Sequence, residues 1–84
     1  MGNLRPVDVR LKEELLRYGE NVPVNSYVDM DEGTLWKKLP SGKMRNITRD
    51  PRNVLIALEH YGIGVEETRQ RCREGRIRWD EFKK

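Results

Sequence analysis

Little in this chain is suited to covalent or metal chemistry. Of its 84 residues, one is cysteine and one is histidine. Cys72 alone forms no intrachain disulfide, and Cys72 with His60 is too small a set for a protein-only structural zinc site. As a nucleophile and base, the two would need a thiolate-favouring site and a third orienting group. Counted from Val65, Cys72 falls on the apolar side of a helix, where a thiol acts as a small hydrophobe. The carboxylate pairs Glu13-Glu14, Asp31-Glu32 and Glu66-Glu67 are sequence neighbours, and adjacent helix residues point apart. No glycine-rich loop is spaced to cradle a phosphate. Asp29-x-Asp31-x-Gly33 opens like a calcium loop, but its glycine comes one residue early and Pro40 stands where the bidentate Glu belongs. The expectation is a non-enzymatic protein with no metal and no cofactor. Long apolar runs are also missing, and the start lacks the basic-then-apolar layout of an export signal. Pro6 stands where myristoylation wants Ser or Thr, and Asn46-Ile47-Thr48 is a glycosylation sequon by spelling only. We therefore expect an intracellular, cytoplasmic protein that does not enter a membrane.

What is present suffices for one small core. Hydrophobic residues make up 36% of the chain and charged residues 37%. The apolar ones are clustered, so residues 1–84 read as a single small folded domain. The densest cluster runs from Asp50 to Ile63. Asp50 is suited to cap a helix and Pro51 to occupy its first position, where a missing N–H costs nothing. Val54, Leu55, Ile56, Ala57, Leu58 and Tyr61 follow, and Gly62 stands where a left-handed cap would close the helix. This helix is expected to run through the middle of the core.

Leu4 to Tyr18 reads as an amphipathic helix. Val7, Leu11, Leu15 and Tyr18 form its stripe, widened by Leu16; Pro6 suits its first turn and Gly19 ends it. Pro23 forces an extended linker. Three short strands follow: Val24 to Met30, Thr34 to Leu39 and Lys43 to Thr48. They are separated by turns at Asp31-Glu32-Gly33 and Pro40-Ser41-Gly42. In the first strand Ser26 and Val28 share one face, Tyr27 and Asp29 the other. After the central helix, Val65 to Glu74 forms a shorter helix closed by Gly75. Arg76-Ile77-Arg78-Trp79 alternates like a short terminal strand or a wing, and Asp80 to Lys84 forms a turn pinned by Trp79 and Phe82. The fold class is α+β: an N-terminal helix, a three-stranded antiparallel meander and a C-terminal helical pair.

The net charge of +3 is unevenly spread. Residues 1–33 hold four basic and seven acidic side chains, residues 34–58 six and one, and residues 59–84 seven and six. A basic centre behind an acidic front third points to an anionic partner, and eleven Arg against six Lys suits phosphate. If Pro40-Ser41-Gly42 is the loop, Lys37 faces Arg45; if Ser41-Gly42 is, Lys38 does. Either way like charges oppose each other, a cost of some tenths of a kcal/mol, roughly, unless an anion or carboxylate is near. Lys43, Arg49 and Arg52 extend the positive strip, and Trp36 adds a ring that could stack on a base. The bland alternative is an edge hairpin studded with lysine against aggregation.

The segment 55–77 has a helix, the turn Tyr61-Gly62-Ile63-Gly64, a second helix bearing Thr68, and Arg73-Glu74-Gly75-Arg76-Ile77. It resembles the helix-turn-helix of the MerR and excisionase families, with one more residue between Gly62 and Thr68 than their pattern has. The resemblance implies a winged DNA reader in which Thr68, Arg69, Arg71 and Arg73 face DNA and Arg76 and Arg78 lie on the wing. At about 100° per residue, however, Val65, Thr68 and Cys72 define the buried stripe, and Glu66, Glu67, Gln70 and Glu74 point outward. Carboxylates leading a recognition helix would meet phosphate repulsion.

The expected function is that of a small nucleic-acid-binding regulatory protein, with DNA the favoured target. Its candidate contacts are Trp36, Lys37, Lys38, Lys43, Arg45, Arg49, Arg52, Arg69, Arg73, Arg76 and Arg78. The alternative is a protein–protein adaptor or inhibitor centred on Trp36, Tyr27 or Trp79, or a structural subunit of an assembly. The discriminating feature is whether Glu20, Asp29, Asp31 and Glu32 lie beside the basic strip or opposite it.

Overall fold

Asp50 and Pro51 start the central helix as their chemistry dictates. In the computed structural model, which describes residues 3–79, Asp50 caps α2 (Pro51–His60) by accepting the Arg52 amide at 3.0 Å. Val54, Ala57 and Leu58 of α2 are fully buried. The helix rests on the sheet and lies against both other helices. Its end is a Schellman closure: Gly62 at φ +93° donates to Glu59, and Ile63 reaches back to Leu58 at 2.8 Å. Only glycine adopts that backbone without strain.

The N-terminal segment departs from expectation. Leu4 to Tyr18 is not one helix. Leu4–Pro6 is strand β1, and α1 covers only Val9–Arg17. Proline biases the preceding Arg5 to extended backbone, and a sheet edge tolerates its missing N–H. Asp8 then caps α1 by accepting the Leu11 amide at 2.8 Å. Leu11 and Leu15 are fully buried and Val7 packs beside them, but Tyr18 and Leu16 are mostly exposed. Tyr18 sits at the C-cap, where the chain leaves the helical path and the periodicity that nominated it no longer applies.

The described residues thus hold a four-stranded antiparallel sheet in the order β1-β2-β3-β4, where a three-stranded meander was expected. The other strands are β2 (Ser26–Asp29), β3 (Thr34–Lys38) and β4 (Met44–Asn46). Asn25 turns into the left-handed region at φ 65°, so Val24 precedes the ladder and is exposed. Asp29, on the face opposite the buried Val28, is itself fully buried, and its Oδ1 accepts the Asp31 and Glu32 amides and nucleates the turn.

The last helix, α3, spans Val65–Arg73. Thr68 and Cys72 are buried, as the stripe requires, but Val65 is 36% exposed at its open N-terminal end. Arg76 to Trp79 joins no sheet. Burial still alternates there, with Ile77 and Trp79 inside and Arg76 and Arg78 outside. The period-two pattern reflects two anchors dropped onto Gly33 rather than a ladder: a Cβ on Gly33 would lie 2.8 Å from the Trp79 ring. The turn expected at Asp80 to Lys84, with Phe82, lies outside the described residues.

Candidate nucleic-acid interface

The β3–β4 hairpin closes through Pro40-Ser41-Gly42, with Gly42 donating to Leu39 and Leu39 to Lys43, each at 2.8 Å. The register is therefore Lys37 opposite Arg45, Trp36 opposite Asn46 and Lys38 opposite Met44. Paired residues share a face and successive residues alternate, so the basic strip divides in two. Val28 and Leu35 lie on the face that meets α2, and both are fully buried. Lys37 and Arg45 stand on that same face, beyond the helices. There, with Arg49, they line a cleft that also holds Glu20. A carboxylate thus stands near the opposed like charges.

The other face carries Trp36 and Lys38. A row crosses all four strands on it: Pro6, Tyr27, Trp36 and Asn46. No described helix rests on this face, and Tyr27 and Trp36 are half-buried in it. The Trp36 indole donates to Thr34 Oγ1 at 2.6 Å, which ties the ring along the strand on its own face. Lys38 and Met44 form the next row towards the hairpin tip, where Lys43 is exposed. At the other end, Thr34, Asn46 and Thr48 border a cavity of about 490 Å³ that is also lined by Arg76, Arg78 and Trp79. The open face is thus apolar and aromatic in the middle, with cations at both ends.

The remaining candidates are more committed. Arg52 bridges to Asp50 at 3.1 Å, and its hydrogen bonds hold that carboxyl below its ordinary range. Arg76 pairs with Asp31 at 3.3 Å. Along α3, Arg73 donates to Gln70 at 2.9 Å, while Arg71 reaches both Glu67, at 3.1 Å, and the Met30 carbonyl. Arg69 and Arg73 are exposed, but so are Glu66, Glu67, Gln70 and Glu74 around them. The acids sort unevenly: Glu20 lies in the cleft with Lys37 and Arg45, Glu32 lines the cavity with Arg76 and Arg78, and Asp29 is buried. Tyr27 was named in sequence only as a protein hot spot. Pairing the strands across Asp31-Glu32-Gly33 sets it beside Trp36.

His60 meets Asp8 at 3.0 Å, and Cys72 is fully buried. Among the described residues no three His, Cys, Asp or Glu side chains gather as metal ligands, and no helix is long and apolar enough to cross a membrane. No family model, curated protein or solved structure matches this chain.

Proposed function

We propose that this chain is a small, non-enzymatic regulatory protein that binds single-stranded nucleic acid on the open face of its sheet. The observation that carries the reading is the cross-strand pair of Tyr27 and Trp36 on a face no described helix covers, with Lys38 on the same face and Lys43 exposed at the hairpin tip. Aromatic rings on a sheet accept unstacked bases whatever their identity, and lysines along the track meet the phosphates. Arg78 extends the cationic track at the far end. Reading of duplex DNA by α3 has less support, since three exposed carboxylates share the helix surface with Arg69 and Arg73.

The test is a titration with single-stranded oligonucleotides at low salt, followed by anisotropy of a labelled strand. Trp36→Ala should weaken single-strand binding by about 1–3 kcal/mol and leave any duplex binding nearly unchanged. Equal affinity of the variant for single strands would remove the stacking platform. A protein partner is favoured by one observation, the mixing of Glu20 and Asp31 among the basic side chains. Absence of any oligonucleotide binding would turn the case to that partner.

A further inference from the structure

The two edges of the sheet are not alike. Along β1, Met30 donates to Asn3 and Val7 to Ser26, so Arg5 bonds β2 while Leu4 and Pro6 turn their backbone outward. Pro6 has no N–H to offer, and its carbonyl accepts the Tyr61 hydroxyl. A strand laid on that edge would meet an intact pair of backbone groups at Leu4 alone. Along β4, ladder bonds join Leu39 to Lys43 and Ile47 to Leu35. Arg45 therefore bonds Lys37, and Met44 and Asn46 point N–H and C=O away from β3. Neither is proline, and β4 touches no described element but β3.

The side chains limit what can pair there. Lys43 and Arg45 alternate with Met44, so both stand on the helix-bearing face of the hairpin. Both are exposed, and no described ion pair takes up either cation. Glu20, in the cleft beside Arg45, is buried. A second copy of β4 would set this cationic row against itself, and like charges directly opposite are unfavourable. Lysine and arginine thus bar self-pairing at the edge whose backbone is open. The same row attracts carboxylates. Met44, beside Lys38 on the other face, is half-buried and offers its thioether to an apolar neighbour.

We infer that the outer edge of β4 accepts an extended peptide as an added strand, one in which acidic and apolar residues alternate. Its backbone bonds Met44 and Asn46, its acids lie opposite Lys43 and Arg45, and the apolar residue between them lies opposite Met44. The alternation follows from the pleat: residues two apart on the added strand share a face, as Lys43 and Arg45 do. This site is the edge of the sheet rather than its open face. It stands whether or not Tyr27 and Trp36 stack bases.

The test uses a capped peptide of about seven residues alternating Glu and Val, titrated at low salt into isotope-labelled protein. Amide NMR should show shifts centred on Met44 and Asn46, and slower hydrogen exchange at both. A peptide alternating Lys and Val should bind about tenfold more weakly. N-methylation of the Glu-Val peptide at the amides facing β4 keeps every charge and should abolish binding; this comparison needs no variant. Lys43→Glu with Arg45→Glu should reverse the preference between the two peptides. Binding of the N-methylated peptide as tight as its parent's would mean charge attraction without strand addition, and would overturn the inference. Equal binding of the Glu and Lys peptides would do the same, as would protection of Met44 and Asn46 that grows with protein concentration alone, the mark of a second copy. No shift of these amides with the Glu-Val peptide would also overturn it, and a shift with thymidine oligomers instead would give the edge to nucleic acid.

Discussion

The Asp8 carboxylate accepts the Leu11 amide at 2.8 Å and meets His60 at 3.0 Å, so one side chain starts α1 and ties it to the end of α2. The Leu11 amide first, then His60, hold its carboxyl below its usual value of 3.8. A depressed acid contributes stability that is fully present above its unfolded value and is lost as pH falls through the folded one. Asp8→Asn keeps the cap and removes the charge. Wild type should therefore be the more stable at neutral pH, and the difference should shrink as pH drops below about 4. Urea midpoints of both proteins across that range make the measurement, and a gap that stays constant would show that the Asp8 charge, held by the Leu11 amide and His60, contributes nothing. At this scale the sequence was partly legible. Asp50 and Gly62 announced their roles because caps depend on immediate neighbours. Asp29 did not, because a side chain that folds back onto its own turn breaks the alternation used to place it.

At the scale of elements, α2 holds the molecule together, since it touches α1, α3, β2 and β3. Leu58 is fully buried in its stripe with Val54 and Ala57. Leu58→Ala should cost about 2–5 kcal/mol, a large share of what a domain of this size has. A denaturation midpoint equal to wild type would mean that this stripe is not the core. The apolar run of α2 is long enough for its period to be read directly, and the hairpins around Gly33 and Gly42 carry their own turn chemistry. β1 was hidden for a physical reason. Leu4 to Pro6 is an edge strand held by pairing with β2, and its partners, such as Val28 opposite Arg5, are distant in sequence. Nothing local distinguishes it from a proline at a helix start. The terminal strand was over-read by the converse route: Ile77 and Trp79 alternate because they anchor a loop, and alternation alone does not supply a partner strand.

At the scale of the whole molecule, the sequence places its main excess of basic over acidic side chains in the middle of the chain, but folding decides which cations act together. Strand alternation sends Lys37 and Arg45 to the helix-bearing face and Trp36 and Lys38 to the open one. The candidate site was therefore visible as a set of residues and invisible as a surface, because the register that divides it depends on which turn closes the hairpin. On α3, by contrast, Arg69 and Arg73 remain among exposed Glu66, Glu67 and Glu74. Each phosphate contact on a single strand adds about 0.7 to the slope of log affinity against log salt. Neutralising Lys38 and Lys43 together should lower that slope by about 1.4 if each meets one phosphate, and should weaken binding at low salt. Neutralising Arg69 and Arg73 should change both quantities clearly less, because the neighbouring carboxylates already oppose phosphate there. Salt titrations of the two double variants, on single-stranded and duplex DNA of equal length, compare the surfaces directly. The opposite order of effects, with the larger loss on duplex, would return the site to α3 and support the helix-turn-helix resemblance over the sheet.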